Sequence, residues 1–303
     1  MDISIIIVNW NTERLLVDCL DSIFKTLKSI SFEVWVVDNG SADGSVEAVK
    51  SRYPFINLIE NRSNCGFAAA NNQALRQTKG RYALLLNTDA LVTDGAIERL
   101  YDFMESAPDV GIACGQLLNP DGSRQNSFAN FPTLIGLLSN ETLMRTLFPK
   151  RFPSKSRQYT NPITIESCIG ACMIVRKRAI EEVGLLDEGY FFFFEETDWA
   201  WRMRRHGWKS SFVPDALIFH GQGKSVGSSA AARIMFYRSR YRYLKKWHQR
   251  SYPLMTVIIF MRLLVNALLN MAGVLVTFGM HTGVRKKLET YAGLILWHLK
   301  GCP

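Results

Sequence analysis

The 303-residue chain lacks the features that mark specialised classes of protein. It has no internal repeats and no low-complexity tracts, and 21% of its residues are charged while 48% are hydrophobic. This composition excludes a collagen-like fibre, a disordered tail and a small disulfide-stapled scaffold. The chain is long enough to bury a large core and to form about two domains.

Cysteines are few and scattered, at Cys19, Cys65, Cys114, Cys168, Cys172 and Cys302. Cys168 and Cys172 lie four positions apart, but no second Cys or His pair stands nearby at zinc spacing, so we expect packed thiols. The N-terminus also lacks the basic segment of a signal peptide, because Asp2 precedes a strand-like run. We therefore expect a protein of the reducing cytoplasm.

Acidic residues are almost missing from the last part of the chain. Residues 233–303 contain 12 basic residues and one acidic residue, Glu289, and carry a net charge of +11, whereas residues 1–232 carry −2. The composition also becomes more apolar after this point. We predict two regions, a domain at 1–232 and a basic, apolar helical region at 233–303.

The first half of the chain alternates strand patterns with helix patterns. Apolar or β-branched runs at 4–8, 34–37, 55–60 and 82–86 are separated by segments with apolar residues at helical spacing. This alternation predicts an α/β fold with a mostly parallel sheet flanked by helices, whose ligand crevice lies at the carboxyl ends of the strands. The second half is less regular, with strand patterns at 111–118, 163–175 and 217–220 and helix patterns at 177–183 and 199–206.

Carboxylate and amide side chains gather where strands of the first half end. Asp38 follows the second strand, and Asn87 and Asp89 follow the fourth. Hard cations such as Mg²⁺ bind one or two protein carboxylates together with substrate phosphates. The alternative for each cluster is a turn or a helix cap. That alternative is weaker for Asp89, because Asp94 and Gly95 already supply turn chemistry.

A third cluster of carboxylates follows a run of aromatic residues, since Tyr190 and four Phe residues precede Glu195, Glu196 and Asp198. Apolar surroundings raise the pKa of a carboxylate toward the range in which it takes a proton from an alcohol at neutral pH. An acidic helix N-terminus is the alternative, and the two are compatible. His220 ends the last strand before a glycine-bearing loop, where it could reach a metal or a phosphate or be structural.

Five motifs in series carry a resemblance to a known family. They lie at residues 5–11, 36–45, 64–72, 86–89 and 194–202. Together they resemble the inverting family 2 glycosyltransferases of the GT-A fold. Within that family the chain is most similar to the bacterial rhamnosyltransferase-like branch that builds surface polysaccharides. The similarity runs from about residue 3 to 226, in the family's order and spacing. Each motif is weak alone, and five in series are strong.

The resemblance implies roles for residues at matching positions. Its donor-binding positions are Asn9, Asn11, Asp38, Asn64, Gly66, Asn71, Asn87, Trp201 and Arg202. The first three would contact the nucleotide base and ribose. A divalent cation, Mg²⁺ or Mn²⁺, is assigned to Asp89 with help from His220. Catalysis is assigned to Glu196, with Glu195 and Asp198 in the same cluster.

Two positions depart from the family pattern. Asn87 stands at the first position of the metal-binding Asp-x-Asp motif, which leaves Asp89 with fewer charged partners. Glu196 stands where the family has its catalytic Asp and is one methylene longer. A noncatalytic nucleotide-sugar-binding or scaffolding protein of the same fold is therefore the second hypothesis. A nucleotidyltransferase would need a glycine-rich basic phosphate loop near the N-terminus, and residues 8–14 offer none.

The reaction implied by the resemblance is a single in-line displacement. Glu196 would take the proton of the acceptor hydroxyl while the nucleoside diphosphate leaves, and the cation would neutralise the developing charge. The donor would be a dTDP- or UDP-linked sugar, with dTDP-L-rhamnose expected from the resemblance alone. The acceptor would be a lipid-linked saccharide or a polysaccharide.

The C-terminal region contains a run of 18 uncharged, mostly apolar residues at 263–280, near the minimum for a transmembrane helix. Basic clusters flank the run on both sides, which does not fit the asymmetry of a simple span. We predict a peripheral or monotopic protein whose helices lie in the anionic cytoplasmic leaflet of the bacterial inner membrane. The alternatives are a homo-oligomer through these helices or a buried core helix. The apolar run argues against nucleic-acid binding.

Overall fold

A computed structural model describes residues 1–139, 144, 146–148, 152–155, 157–221, 230–278 and 280–301. The chain forms two units. The first comprises Met1–Phe131 and Pro149–Ser225, and the second comprises Pro132–Phe148 and Val226–Pro303. The second unit therefore draws on residues 132–148 as well as on the C-terminal region. The boundary after residue 232 stays a prediction from composition.

The first unit is built on a mixed sheet. Its strands in chain order are β1 Ile3–Asn9, β2 Phe32–Asp38, β3 Asn57–Glu60, β4 Tyr82–Asn87, β5 Ala90–Val92, β6 Val110–Leu118, β8 Ile163–Ile165, β10 Cys172–Arg176 and β11 Lys209–His220. The spatial order is β3-β2-β1-β4-β10-β6-β11-β5, and β8 pairs with β11. Two short strands, β7 Phe128–Ala129 and β9 Ser167–Cys168, form a separate antiparallel pair.

The strands of the first half pair in parallel, as the alternating pattern predicts. β1 pairs in parallel with both β2 and β4, and β2 pairs in parallel with β3. The residues of β1 from Ile3 to Ile7 are fully buried, because helices cover both faces of the sheet. The carboxyl ends of β1, β2 and β4 consequently lie side by side at one edge.

The strands of the second half make the sheet mixed. β10 inserts antiparallel between β4 and β6, and β5 pairs antiparallel with β11. The strand pattern at 163–175 is divided into β8, β9 and β10, with Gly170 in the turn before β10. The final strand is longer than predicted, because β11 begins at Lys209 and continues past an irregularity between Val213 and Leu217.

Helices of the first unit pack on the two faces of the sheet. They are α1 Glu13–Thr26, α2 Ser45–Arg52, α3 Phe67–Leu75, α4 Ala96–Ser106, α6 Lys177–Val183 and α7 Glu195–Arg205. Buried residues of α1 and α4, such as Leu20 and Leu100, join the core on one face. Buried residues of α3 and α7, such as Ala70 and Trp199, join the core on the other face. The α/β architecture predicted from the sequence, a sheet with helices on both faces, is therefore present.

The second unit is helical where the structure describes it. It contains α5 Leu134–Leu138, α8 Ala230–Trp247, α9 Tyr252–Val276 and α10 Thr282–Leu299. Leu244, Met255, Ile259 and Leu294 are buried within it. α9 begins 11 residues before the apolar run predicted at 263–280 and ends before that run does. Among the described residues, α9 is the one helix long and apolar enough to cross a membrane, and 11% of its most apolar window is buried.

Candidate active site

The polar clusters of the motifs at 5–11, 36–45 and 86–89 meet at the carboxyl edge of the parallel strands. Asn9 and Asp38 are register partners at the ends of β1 and β2, and Val8 is the partner of Asn87 at the end of β4. Such strand ends are where open α/β sheets bind ligands. The fold thus brings together residues that are separated by tens of positions in the chain.

Asn9 and Asp38 form a buried hydrogen-bond network. The Asn9 Nδ2 donates to Asp38 Oδ1 at 2.8 Å and to Ser41 Oγ at 3.0 Å. Asp38 Oδ2 accepts from the backbone N–H groups of Gly40 at 3.1 Å and Ser41 at 2.8 Å. Asn11 joins the same loops, because its Oδ1 accepts from the Ala42 N–H at 2.8 Å. These side chains fix the β1–α1 and β2–α2 loops, and their contact with a nucleotide stays a prediction.

Asn64 and Gly66 position the start of α3. Asn64 Oδ1 accepts from the Gly66 N–H at 2.9 Å, and Gly66 has a left-handed φ of +88°. A Cβ at Gly66 would lie 2.6 Å from the Phe191 carbonyl oxygen, which accepts a 2.7 Å hydrogen bond from the Phe67 N–H. Only glycine allows this approach. Asn71 is buried and donates from Nδ2 to the Phe67 carbonyl at 2.9 Å.

Asp89 is a buried carboxylate with unused acceptor capacity. It is 5% exposed, and within the described part of the chain neither of its carboxylate oxygens accepts a hydrogen bond. His220 lies across from it, since Ala90 and His220 are register partners of β5 and β11. The His220 Nε2 is 3.4 Å from Asp89 Oδ1. A buried carboxylate is costly unless a positive charge compensates it, so this arrangement suits a ligand that carries positive charge.

Gln125 fixes the orientation of the His220 ring. Its amide nitrogen faces the His220 carbonyl at 2.6 Å and Asn119 Oδ1 at 2.8 Å. A carbonyl can only accept, so this end of the amide must be NH₂. The other end, Oε1, therefore accepts from His220 Nδ1 at 2.9 Å. The neutral ring then carries its proton on Nδ1 and presents the lone pair of Nε2 to Asp89.

The Asp89 and His220 pair fits a divalent cation. With the ring neutral, the His220 Nε2 lone pair and the Asp89 carboxylate face each other at 3.4 Å as two acceptors, and a shared cation would satisfy both. No group of three or more His, Cys, Asp or Glu that could hold a metal occurs among residues the structure describes. Mg²⁺ and Mn²⁺ suit such a sparse site, because water and substrate phosphates complete their coordination.

The carboxylates of α7 lie in the first turn of that helix, which begins at Glu195 rather than near Trp199 as predicted. Two residues with positive φ, Phe193 and Phe194 at +70° each, lead into the helix. Left-handed conformations in bulky residues are strained and are held in place by the surrounding structure. The strained turn sets the direction in which the helix and its carboxylates emerge.

Glu195 and Glu196 have perturbed acidities. Glu195 is 4% exposed, and its Oε2 accepts no hydrogen bond from any described residue. Burial raises the pKa of Glu195, and the neighbouring Glu196 charge raises it further. Burial also raises the pKa of Glu196, whose Oε1 accepts from Thr197 Oγ1 at 3.1 Å. Either group is therefore suited to take a proton at a pH above the ordinary carboxylate range.

The turn before β10, which contains Gly170 and Ala171, contacts both α7 and the end of β4. A Cβ at Gly170 would lie 3.9 Å from the Glu196 side chain, so Gly170 is its neighbour. The following residue, Ala171, accepts a 2.9 Å hydrogen bond from the Asn87 N–H through its carbonyl. Glu196 and the start of the Asn87-Thr88-Asp89 segment therefore both contact this turn.

Asp198 and Arg202 form a buried ion pair. Arg202 Nε donates to Asp198 Oδ2 at 2.9 Å, and the Asp198 side chain is fully buried. Arg202 also donates to the carbonyls of Val183 at 3.1 Å and Leu185 at 2.7 Å. Trp201 packs edge to face on Phe131, with ring centroids 5.0 Å apart. These contacts hold α7 against the end of α6, and a catalytic or donor-binding role for the three residues stays a prediction.

Sequence reasoning missed Gln125. The residue lies in the irregular segment before β7, where neither periodicity nor a motif marks it. Its importance comes from contacts with Asn119 and with His220, which is 95 positions later in the chain. A sequence signal for such a long-range contact is absent. The packed Cys168 and Cys172 are buried free thiols, as predicted.

The sheet and its carboxylate-lined edge are those of a GT-A glycosyltransferase, and the chain belongs to glycosyl transferase family 2. The family model described as glycosyl transferase family 2 matches residues 4–184, more than half of the chain. The motif-based assignment and the predicted fold class are thereby confirmed. The chain is a transferase.

Among relatives, the chain is similar to the N-acetylglucosaminyl-diphospho-decaprenol L-rhamnosyltransferase of Mycobacterium tuberculosis, with 28% identity over 71% of this chain and 75% of that protein. It is also similar to a low-salt glycan biosynthesis hexosyltransferase of Haloferax volcanii, with 26% identity over 67% of this chain and 62% of that protein. The chain is thus a rhamnosyltransferase-like member of its family.

A solved structure shares the fold. The mannosyltransferase from Pyrobaculum calidifontis in complex with GDP-Man and Mn²⁺ superposes with a TM-score of 0.61 over 98% of this chain and 86% of that chain, at 16% identity. At this identity the likeness establishes the GT-A architecture alone.

Proposed function

We propose that the chain transfers L-rhamnose from dTDP-L-rhamnose to a hydroxyl of a lipid-linked saccharide in bacterial surface glycan synthesis, with inversion at the anomeric carbon. The observation that carries the proposal is the buried Asp89 carboxylate facing His220 Nε2 at the sheet edge. The name of the Mycobacterium tuberculosis relative supports the choice of rhamnose and of a lipid diphosphate acceptor.

In this proposal Asp89 and His220 hold a divalent cation, Mn²⁺ or Mg²⁺. Bound there, the cation neutralises charge that develops on the leaving diphosphate. The Mn²⁺ in the solved mannosyltransferase complex supports this choice. Gln125 keeps the His220 lone pair directed at the site.

Glu196 is the general base of the proposed reaction. Its carboxylate accepts the proton of the acceptor hydroxyl as the oxygen attacks the anomeric carbon, and the nucleoside diphosphate leaves from the opposite face. Burial raises the pKa of Glu196, which makes it a stronger base toward that proton than an exposed carboxylate. Tyr190 and Phe194 are buried and lie close in the chain to Glu195 and Glu196, and in this proposal they limit the access of water that would hydrolyse the donor.

The second unit associates with the membrane in this proposal. Residues 233–303 carry a net charge of +11, and α9 exposes apolar side chains such as Val257, Leu268 and Leu269. Basic and apolar signals together support stable binding at an anionic surface. A cytoplasmic-face location places the site where nucleotide sugars are available.

The test is a donor panel with the purified full-length protein. dTDP-L-rhamnose, UDP-glucose, UDP-N-acetylglucosamine and GDP-mannose are each incubated with a lipid-diphosphate N-acetylglucosamine acceptor and Mn²⁺, and nucleoside diphosphate release is measured. We expect release with dTDP-L-rhamnose and an NMR spectrum of the product with the anomeric configuration opposite to the donor. Retained configuration contradicts the inverting mechanism. If none of the four donors releases nucleoside diphosphate, either by transfer or by hydrolysis, the result would support the noncatalytic alternative.

A further inference from the structure

The second unit contains a groove whose lining combines two arginines with apolar side chains. The groove has a volume of about 670 Å³ and runs between α8, α9 and α5. Arg240 of α8 and Arg262 of α9 both line it, with Tyr237 beside them. Val257, Met261 and Val265 form part of its apolar wall. We call this feature the arginine groove.

Among the residues that the structure describes, the two guanidinium groups have no carboxylate to balance them. No Asp or Glu lines the arginine groove, and neither arginine forms an ion pair with a carboxylate in the described part of the chain. Glu289 is the one acidic residue of the sequence after residue 232, and it lies 3.7 Å from Arg285. Burial lowers the pKa of Arg240, and the charge of Arg262 lowers it further. A bound anion would remove this repulsion.

The remainder of the groove suits a hydrocarbon chain. Val257, Met261 and Val265 are each at least half exposed, at 57%, 51% and 50%. They continue the apolar surface of α9, which is the helix apolar enough to cross a membrane. A ligand that matches both parts of the lining has an anionic head and an apolar tail.

We propose that the arginine groove binds the diphosphate of a lipid-linked acceptor, with the first part of the lipid chain along the apolar wall. A lipid diphosphate diester carries two negative charges, which match two guanidiniums, whereas the phosphodiester of an ordinary phospholipid carries one. Arginine is well suited to this role, because its planar fork donates two hydrogen bonds to phosphate oxygens. The groove also lies within the volume range of small-molecule sites. The identification of the lipid as the acceptor rests on the proposed function.

The test measures binding of farnesyl diphosphate to the full-length protein in detergent by calorimetry. EDTA is present throughout, so that the probe does not bind through a cation at Asp89. The variant is Arg240→Gln with Arg262→Gln, and the matched control is Arg250→Gln with Lys287→Gln, which removes two exposed charges outside the groove. Thermal unfolding by circular dichroism establishes that both double variants are folded.

We expect the groove variant to bind at least about thirtyfold more weakly than wild type, because two charge-assisted hydrogen-bonding groups are lost. The control variant should bind as wild type does. Farnesyl monophosphate should bind more weakly than the diphosphate, and inorganic pyrophosphate more weakly still, because it lacks the tail.

Equal binding by wild type and the groove variant, or equal loss in the control, would overturn the proposal. So would displacement of the probe by phosphatidylglycerol at the same concentration, since the groove would then recognise the membrane surface. Each of these failures is distinguishable from failure of the proposed transfer, because the donor panel measures nucleoside diphosphate release and this test measures lipid binding without metal or donor.

Discussion

At the scale of single residues, the site depends on polar groups that are buried without full satisfaction. Asp89 and Glu195 both hold carboxylate oxygens that accept no hydrogen bond from any residue the structure describes. Each such group costs folding free energy unless a ligand or a proton compensates it. By contrast, the oxygens of Asp38 are all engaged. The unsatisfied groups are therefore the ones to test by substitution.

Asp89→Ala should abolish metal-dependent donor binding. Asp89 is the carboxylate of the Asn87-Thr88-Asp89 segment, and neutral Asn and Thr oxygens cannot balance a buried divalent charge. Calorimetry of dTDP with Mn²⁺ measures the loss. Asp94→Ala is the matched control, since Asp94 is an exposed carboxylate five positions later. Unchanged affinity of Asp89→Ala for dTDP with Mn²⁺ would indicate that the metal binds at another site.

Gln125→Met should lower Mn²⁺ affinity at least about tenfold and leave metal-free nucleotide binding unchanged. Loss of a side chain that hydrogen-bonds to a metal ligand commonly lowers metal affinity by this amount. Methionine keeps the volume of glutamine but cannot accept the His220 Nδ1–H, so the ring loses its fixed tautomer. Nitrogen NMR shifts of His220 in the metal-free protein report the tautomer directly. Gln77→Met at an exposed position is the control. A single Nδ1–H tautomer that persists in Gln125→Met argues against the positioning role.

Glu196→Gln should preserve folding and donor affinity and lower kcat by at least about a hundredfold, the usual contribution of a positioned general base. In the wild type, kcat should rise with pH as Glu196 loses its proton, with a midpoint above the ordinary carboxylate range because burial raises its pKa. The rise should be absent in Glu196→Gln. A large loss in Glu195→Gln or Asp198→Asn with an active Glu196→Gln would reassign the base.

At the scale of elements, the helix α7, which carries the predicted catalytic carboxylates, is positioned by turns rather than by its own sequence propensity. Phe193 and Phe194 adopt positive φ at its start, and the Phe191 carbonyl accepts from the N–H of Phe67 at the start of α3. Asp198 and Arg202 then anchor the body of the helix to residues 183 and 185. The segment that leads into α7 thus meets the start of α3 at Gly66.

Gly66→Ala should displace the 190–194 segment and lower both stability and kcat. Its Cβ would approach the Phe191 oxygen to 2.6 Å, in addition to the cost of a left-handed alanine. Gly122→Ala is the control, because Gly122 has φ +81° but nothing within 4 Å of its Cβ position. We expect the control to lose about 1–2 kcal/mol of unfolding free energy from the backbone alone. The Gly66 variant should lose about 1–3 kcal/mol more from overpacking. Equal losses in chemical denaturation would contradict the close approach.

At the scale of the whole molecule, charge and apolar surface are concentrated in one part of the chain. Residues 233–303 carry +11, which exceeds the net charge of +9 of the whole chain, and α9 lies in the same region with most of its apolar window exposed. One weak membrane signal gives marginal binding, whereas two together hold a protein at a bilayer. Residues 1–232, which include the whole first unit, sum to −2.

The full-length protein should remain on anionic liposomes in high salt and be released by detergent, because salt screens charge attraction but not apolar burial. Leu268→Asp with Leu269→Asp, which changes two residues that are 58% and 65% exposed on α9, should abolish flotation. Phe55→Asp, a 69% exposed apolar residue of the first unit, is the control. A protein that is soluble and multimeric without lipid would indicate an oligomerisation surface instead.

The local structure of the first half and the family of the protein were readable from the sequence. Strand and helix periods located β1 to β4 and the helices between them, and the motifs placed Asp38, Asp89 and Glu196 at element ends. These features are local, because side-chain period and turn chemistry act over a few residues. The family assignment followed from the same motifs.

Tertiary structure alone decided which distant residues meet. The insertion of β10 between β4 and β6 and the hydrogen bond from His220 to Gln125 could not be read from any periodic pattern. Each depends on strand order and on burial, which arise from contacts between segments far apart in the chain. A buried polar group acquires its role from the partners that the fold brings to it, and a local pattern carries no information about those partners.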